Sequence, residues 1–380
     1  DSVTSYAGFR SVTILRPREG DPGPARVLLN GKRRFMAGLL DQGYWPESLY
    51  TAPSDEALAS DVAAAKALGF DLLRKHGKLE AARWYYHCDR LGMLVWQDMP
   101  SPPAITCISS ADGDPSWQHQ PRDPDDDEEP EDGRQRCPLD VATFERELIE
   151  IVTSFDFAPS IVLWVLFNEA WGQHGERYYV SLLRRLQPSR LLSDASGWRL
   201  SGPRESVGMR ESTPLLWPRD PADHPADELG HASRRSAGAA GELGDVIDVH
   251  AYPGPWPKPK VRRRWYGGGA WEALRWSRSR SRASVLGEFG GGRFQMVNHT
   301  STEVGWGYAK KKLPNCEAFV AEVKAQWEKA SRVGLSAAVY TQLTDVESEW
   351  NGLLTYDREL KCASLMTRTL RPAILAARNG

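Results

Sequence analysis

Between residues 35 and 340 one pattern recurs eight times: a short apolar run followed, in most cases, by a stretch with helical spacing. The runs are 35–40, 70–74, 93–98, 161–167, 191–194, 246–250, 283–286 and 335–340. They are too short for helices, and nearly all their residues are apolar instead of every second one. That is the signature of strands buried on both faces, as in a parallel sheet covered by helices. The intervening segments carry helix punctuation. Ser54 is placed as an N-cap before Asp55 and Glu56, Leu58, Val62, Ala65 and Leu68 share one face, and Gly69 sits where a C-terminal glycine belongs. Eight strand–helix units predict an α/β fold closed as a (β/α)8 TIM barrel. An open doubly wound sheet would need a glycine-rich phosphate loop after its first strand. Here that position reads Asp41-Gln42-Gly43-Tyr44-Trp45-Pro46.

Residues 1–30 read differently, as two short β-type runs, 11–15 and 25–29, separated by Gly20, Pro22, Gly23 and Pro24. The barrel is expected over 31–380, with inserts near 100–137, 201–243 and 253–282. The first insert is acidic and the third basic and rich in Trp, ending in an Arg-Ser repeat; solvated loops are the expectation for all three. Charge narrows the partners. With 48 basic and 50 acidic side chains the net charge is −2, so no global field draws the chain to nucleic acid or an anionic membrane. No apolar run approaches the ~20 residues of a membrane span. The start, which lacks an initiator Met and a basic-then-apolar leader, reads as a mature form or a fragment. The five cysteines show no paired zinc spacing. Cys107 and Cys137 flank the acidic insert and would pair only in an oxidising compartment.

A barrel presents its chemistry at the C-terminal ends of its strands. Those positions hold Asp41 and Gln42, Arg74 and His76, Gln97 and Asp98, Asn168 and Glu169, Asp194 and Ser196 near Trp198, His250 and Tyr252, Glu288, and Gln342 and Asp345. Asp98 and Asp194 suit structural ion pairs as well as a function. Glu169 and Glu288 stand out because each ends an apolar run, which puts a carboxylate at the rim of a dry core. Two carboxylates facing each other across a small gap are what glycoside hydrolysis needs: one protonates the leaving oxygen, and the other attacks or activates water. Asn168 offers an amide to a sugar hydroxyl.

These residues resemble the catalytic domain of glycoside hydrolase family 2, which contains β-galactosidases, β-glucuronidases and β-mannosidases. The segments that carry the resemblance are 74–76, 91–100, 164–169, 250–252, 285–290 and 339–345. Residues 1–30 are similar to the end of the immunoglobulin-like domain that precedes the barrel in that family, and the family's N-terminal sugar-binding sandwich has no counterpart. The resemblance implies a retaining enzyme that hydrolyses O-glycosyl bonds, of β-galactosidase type. Glu169 is then the acid/base and Glu288 the nucleophile. Asp41, Arg74, His76, Asn168, Trp198, His250, Tyr252 and Gln342 surround a carbohydrate substrate, and neither metal nor cofactor is required. Two alternatives remain at this stage. One is a carbohydrate-binding barrel without turnover; the other is a metal-dependent barrel hydrolase built on His76, His250 and carboxylates. For the leading reading the two carboxyl groups should lie ~5–5.5 Å apart, and at least two of Trp45, Trp171, Trp198 and Trp256 should form sugar platforms at the mouth.

Overall fold

A computed structural model describes residues 5–19, 21–100, 138–169, 173, 175–197, 244–255, 279–309 and 312–379. It contains two sheets. Strands β1 (Val12–Leu15), β2 (Arg26–Leu29) and β3 (Lys32–Arg33) form a small antiparallel sheet. The large sheet has eight parallel strands: β4 (Met36–Asp41), β5 (Leu72–Lys75), β6 (Leu94–Asp98), β7 (Ile161–Val165), β8 (Leu191–Ser193), β9 (Val246–Ala251), β10 (Ala283–Gly290) and β11 (Ala337–Thr341). Its order is β8-β7-β6-β5-β4-β11-β10-β9, so chain order is kept around the ring and the first and last strands pair. The ring closes between β8 and β9. There the Asp245 amide donates to the Leu192 carbonyl at 2.7 Å, and the Leu192 amide donates to the Asp245 carboxylate at 3.0 Å. The barrel expected from the sequence is therefore present.

Helices α1 (Asp55–Ala67), α2 (Ala82–Leu91), α3 (Pro138–Ser154), α4 (Glu176–Leu186) and α5 (Cys316–Ser331) pack outside the barrel. After them come α6 (Ala363–Leu365), a π turn (Met366–Leu370) and α7 (Arg371–Asn379), which packs against β4 and α5. Capping follows the sequence. Ser54 accepts from the Ala57 amide and Asn315 from the Ala318 amide, and Gly92 takes the left-handed conformation that ends α2. None of these helices is long and apolar enough to cross a membrane.

Alternation along each strand sorts side chains into two separate apolar clusters. Met36, Leu40, Leu72, Trp96, Val165, Val246, Val285 and Val339 fill the lumen. Leu39, Leu73, Val95, Trp164, Ile247 and Leu286 meet the helix layer, against residues such as Val62, Trp84, Leu183 and Trp327. The lumen cluster also takes in Val12 and Val27 of the small sheet. Val27 donates its amide to Ser336 Oγ at 3.1 Å, and Arg10 reaches the carbonyls of Pro159, Ser189 and Ile161, all near strand starts. The small sheet thus floors the barrel, and it extends past the expected boundary at residue 30, to Arg33.

Most of the three inserts, with Cys107, Cys137, Trp171, Trp198 and Trp256, lie outside the described residues. Among the described cysteines Cys88 is free and buried, while Cys316 is joined to Cys362. That disulfide ties α5 to the start of α6 and escaped the sequence reading, because 46 residues separate its halves. A cross-link closing a loop of this length is worth about 2–4 kcal/mol. The Cys316→Ser/Cys362→Ser double variant should lose that much in urea unfolding. Reductant should lower the stability of the wild type and leave the variant unchanged.

Candidate active site

Strand ends on the lumen side converge on one buried cation. Arg74, fully buried, follows Leu72 in the lumen-facing register of β5. Its Nε and Nη2 donate to the two oxygens of Asp98, each at 2.9 Å, and Nη2 also donates to Asn168 Oδ1 at 2.9 Å. Nη1 donates to Glu288 Oε1 at 3.0 Å and to the Gly287 carbonyl at 3.3 Å. One guanidinium therefore fixes groups from β6, β7 and β10. Burial disfavours its charge, but Asp98 and Glu288 outweigh that and hold its pKa above the ordinary arginine value. Burial likewise raises Asp98, yet Arg74 and the hydrogen bond from His76 Nδ1, 2.7 Å away, keep its pKa below the usual aspartate value.

Glu288 is buried and held on both oxygens. Arg74 takes Oε1, and the Tyr252 hydroxyl donates to Oε2. Since that hydroxyl has a single hydrogen, Thr341 Oγ1, 2.7 Å away, is a donor to the phenol oxygen. Burial, then the charge of Glu288, push the Tyr252 pKa well above 10.0, so the phenol keeps its proton. Tyr308 stacks on Tyr252 with ring centroids 3.6 Å apart, and Trp306 meets Tyr308 edge-on. Trp306 is 45% exposed and Tyr308 39%.

Glu169 follows β7 in a left-handed backbone conformation, with φ of 47°. Its Oε1 lies 2.7 Å from His250 Nδ1, and the same nitrogen lies 3.5 Å from Glu288 Oε2. One oxygen of each glutamate and one nitrogen of His250 all fall within 4.8 Å of one another. Burial raises the Glu169 carboxyl, but the hydrogen bond and charge of His250, with His76 and Arg74, hold its pKa below the ordinary glutamate value. For His250 burial favours the neutral ring, but the two glutamates prevail and its pKa is raised.

A backbone irregularity aims Glu288. Val285 faces the lumen and Leu286 the helices, so strict alternation would send residue 287 inward and Glu288 outward. The register between β9 and β10 instead shifts between Leu286 and Glu288, and Phe289 returns to the helix side. The extra residue is Gly287, where a β-carbon would lie 2.0 Å from Asp248 Oδ1. Such a bulge re-aims the side chain that follows it.

The structure brings Arg74, His76, Asn168, Glu169, His250, Tyr252 and Glu288 together. Gln342 sits beside them in an amide network: Gln42 Nε2 donates to Gln342 Oε1 at 2.9 Å, and Gln342 Nε2 donates to Asn351 Oδ1 at 2.9 Å. Asp41 is not in the cluster. It shares the outward register of Leu39, pairs with Lys75 at 2.7 Å and is buried behind the barrel wall, while its neighbour Gln42 takes the inner place. Trp198 lies outside the described residues. Trp45 is 5% exposed and packs on the Arg358 guanidinium 3.6 Å from its ring centroid, so it forms no platform. Asp98 and Asp194 both make ion pairs, with Arg74 and Arg282. Sequence reading passed over Asp248, Trp306, Tyr308, Glu349 and Asn351. The last four come from loops with no strand-end signal, and Asp248 lies one turn of the alternation below His250.

No protein-family model and no curated protein sequence matches the chain. Solved structures do. A family 2 β-galacturonidase from Eisenbergiella tayi matches with a TM-score of 0.61 at 18% identity, over 97% of this chain and 55% of its own. An FMN-binding β-glucuronidase from Facaelibacterium prausnitzii L2-6 matches with 0.60 at 17% identity, over 98% and 47%. A β-glucuronidase from an uncultured Clostridium matches with 0.58 at 12% identity, over 97% and 54%. The chain thus has the fold of the catalytic barrel of family 2 glycoside hydrolases, and spans about half the length of these structures.

Removing Arg74 strands two buried carboxylates, a loss that costs about 3–5 kcal/mol. Arg74→Met should therefore unfold at much lower urea concentration than the wild type. A midpoint within error of wild type would mean that water reaches Asp98 and Glu288.

Proposed function

We propose that the chain is the catalytic domain of a retaining β-glycosidase, with Glu288 as nucleophile and Glu169 as acid/base. The observation that carries this reading is the approach of the two glutamates, one oxygen of each within 4.8 Å, at the mouth of the barrel. That closeness fits the ~5–5.5 Å between carboxyl groups of retaining enzymes better than the ~6.5–9.5 Å of inverting ones. In the first step the anomeric carbon gains a bond to a Glu288 oxygen, while the leaving oxygen takes, through Glu169, the proton that Glu169 shares with His250, and keeps the glycosidic electron pair. In the second, water gives a proton to Glu169 and its oxygen displaces Glu288. Arg74 and Tyr252 aim Glu288 by holding both its oxygens, and the Tyr252 hydroxyl is free to follow the charge as it leaves Oε2. Arg74 donates to Asn168 Oδ1, so the amide nitrogen of Asn168 is the donor left for a sugar hydroxyl.

We further propose a neutral, galactoside-like sugar over a uronic acid. Gln42, Gln342 and Asn351 surround Glu349, whose Oε2 accepts from Gln42 at 3.2 Å and Oε1 from Asn351 at 2.8 Å. Its charge reaches Glu288 and Tyr308. Burial raises the Glu349 pKa above the ordinary glutamate value, and those amide hydrogen bonds partly offset the rise. A second carboxylate from a uronic sugar would meet this group with like charge. Among the described residues, two buried cations are committed: Arg74 to Asp98 and Glu288, and Lys361 to Asp345 at 2.7 Å.

The sugar is tested with 4-nitrophenyl β-galactoside, β-glucoside, β-mannoside and β-glucuronide. A neutral hexoside should exceed the glucuronide in kcat/KM by at least about tenfold, the difference that ~1.4 kcal/mol makes. A preference for glucuronide would overturn the sugar assignment and leave the mechanism standing.

The roles are tested by truncation. Glu288→Ala should lose turnover on every substrate by several orders of magnitude. Glu169→Ala should lose roughly 10²–10⁴-fold on a poor leaving group and far less on dinitrophenyl glycosides. Azide should rescue it as a β-glycosyl azide, and should yield the α-product with Glu288→Ala. Equal losses on good and poor leaving groups, with no azide product, would sink the assignment. Sugar binding without any turnover would instead favour a non-catalytic barrel.

A further inference from the structure

We propose that Asp248, Ser196 and His250 form a hydrogen-bonded relay that fixes which imidazole nitrogen faces Glu169, and so keeps the acid/base proton at the glycosidic oxygen. It rests on the assignment of Glu169 made above. The chain is continuous: Ser196 Oγ donates to Asp248 Oδ2 at 2.7 Å, His250 Nε2 lies 2.8 Å from Ser196 Oγ, and His250 Nδ1 lies 2.7 Å from Glu169 Oε1.

Counting hydrogens fixes the tautomer. The single Ser196 hydroxyl hydrogen goes to the Asp248 carboxylate, so its oxygen must accept from His250 Nε2–H. Arg74 Nη1 also approaches Nε2, at 3.2 Å, and can only donate; the relay requires its two hydrogens to go to Glu288 Oε1 and the Gly287 carbonyl instead. With Nε2 protonated, Nδ1 is the nitrogen that exchanges a proton with Glu169. One proton is then held between Nδ1 and Oε1. In the first step it leaves through Glu169 to the departing oxygen, and the pair is left as neutral imidazole and carboxylate. In the second, the proton removed from water restores it.

Two backbone features hold the relay. Gly197, at φ of +77°, has no β-carbon, and one placed there would lie 2.2 Å from His250 Nδ1. Gly287 likewise makes room for the buried Asp248. The charged groups facing His250 come from every strand around it: Glu169 after β7, Arg74 on β5, Glu288 on β10 and Asp248 on its own strand, with His76 acting through Glu169. Asp248 and Ser196 touch no reacting atom and are positioning residues.

The test is Ser196→Ala in the full chain, with Asp248→Asn as a second variant. On phenyl β-glycosides kcat/KM should fall about tenfold, part of the 10²–10⁴-fold that acid–base help supplies; on dinitrophenyl glycosides it should stay within about twofold, because little protonation is needed. ¹⁵N-histidine NMR gives a readout independent of turnover. The His250 signals, identified by their loss in His250→Gln and recorded at a pH high enough to remove the shared proton, should show the Nε2–H form in wild type and a tautomer mixture in Ser196→Ala. Unchanged tautomer and unchanged leaving-group dependence in both variants would overturn the relay. If Glu169→Ala itself shows no leaving-group dependence, the acid/base assignment has failed, and the NMR result still decides whether the relay exists.

Discussion

A single buried guanidinium organises the mouth of this barrel. Arg74 makes hydrogen bonds to Asp98, Asn168, Glu288 and the Gly287 carbonyl, from three other strands. Arginine suits the task because its planar fork offers five donors in fixed directions and keeps its charge when buried. The carboxylates around it are tolerable for the same reason: each is paired, so little bare charge is left in a dry site. Glu288 is thereby held in a fixed orientation through both its oxygens, while Glu169 answers to His250 across the gap. Two carboxylates on one rim are differentiated by their partners and not by their distance from solvent alone.

The apolar layers beneath make that possible. The floor formed by Val12 and Val27, and the lumen packing of Trp96, Val285 and Val339, exclude water from below. Polar chemistry is thus confined to the last inward-facing residue or two of each strand. Other buried ion pairs lie apart from the Arg74 cluster, Lys75 with Asp41 on the outward face of the barrel wall and Lys361 with Asp345. Buried charge in this protein therefore has two meanings, and the face of the strand decides which applies.

That rule explains what could be read in advance. The eight strands and the caps at Ser54 and Gly69 follow from local pattern, and so does the gathering of Arg74, Asn168, Glu169, His250 and Glu288, because each ends a strand. Asp41 ends a strand as well, yet faces outward. Parity separates it from the others: Asp41 shares the outward register of Leu39, and Gln42 is the inward neighbour. Trp45 was misplaced because a tryptophan near the mouth can serve the core through a cation such as Arg358. Glu349, Trp306 and Tyr308 are placed by tertiary packing of long loops, which leaves no periodic trace. Cys316 and Cys362 meet because α5 and the last helices pack together, a contact invisible in spacing.

The bulge at Gly287 carries a further meaning. Beyond that residue the strand runs in a shifted frame, much as a message does after an inserted letter. A lineage could lose the extra residue and keep a sound barrel, with Glu288 turned toward the helices and the rim left without its second carboxylate. The fold and the pairing of the two carboxylates are thus separable by one codon. On the proposed assignment of Glu288, a homologous chain that lacks the extra residue would be a candidate for a sugar-holding descendant with no turnover, however complete its set of acidic residues looks in an alignment.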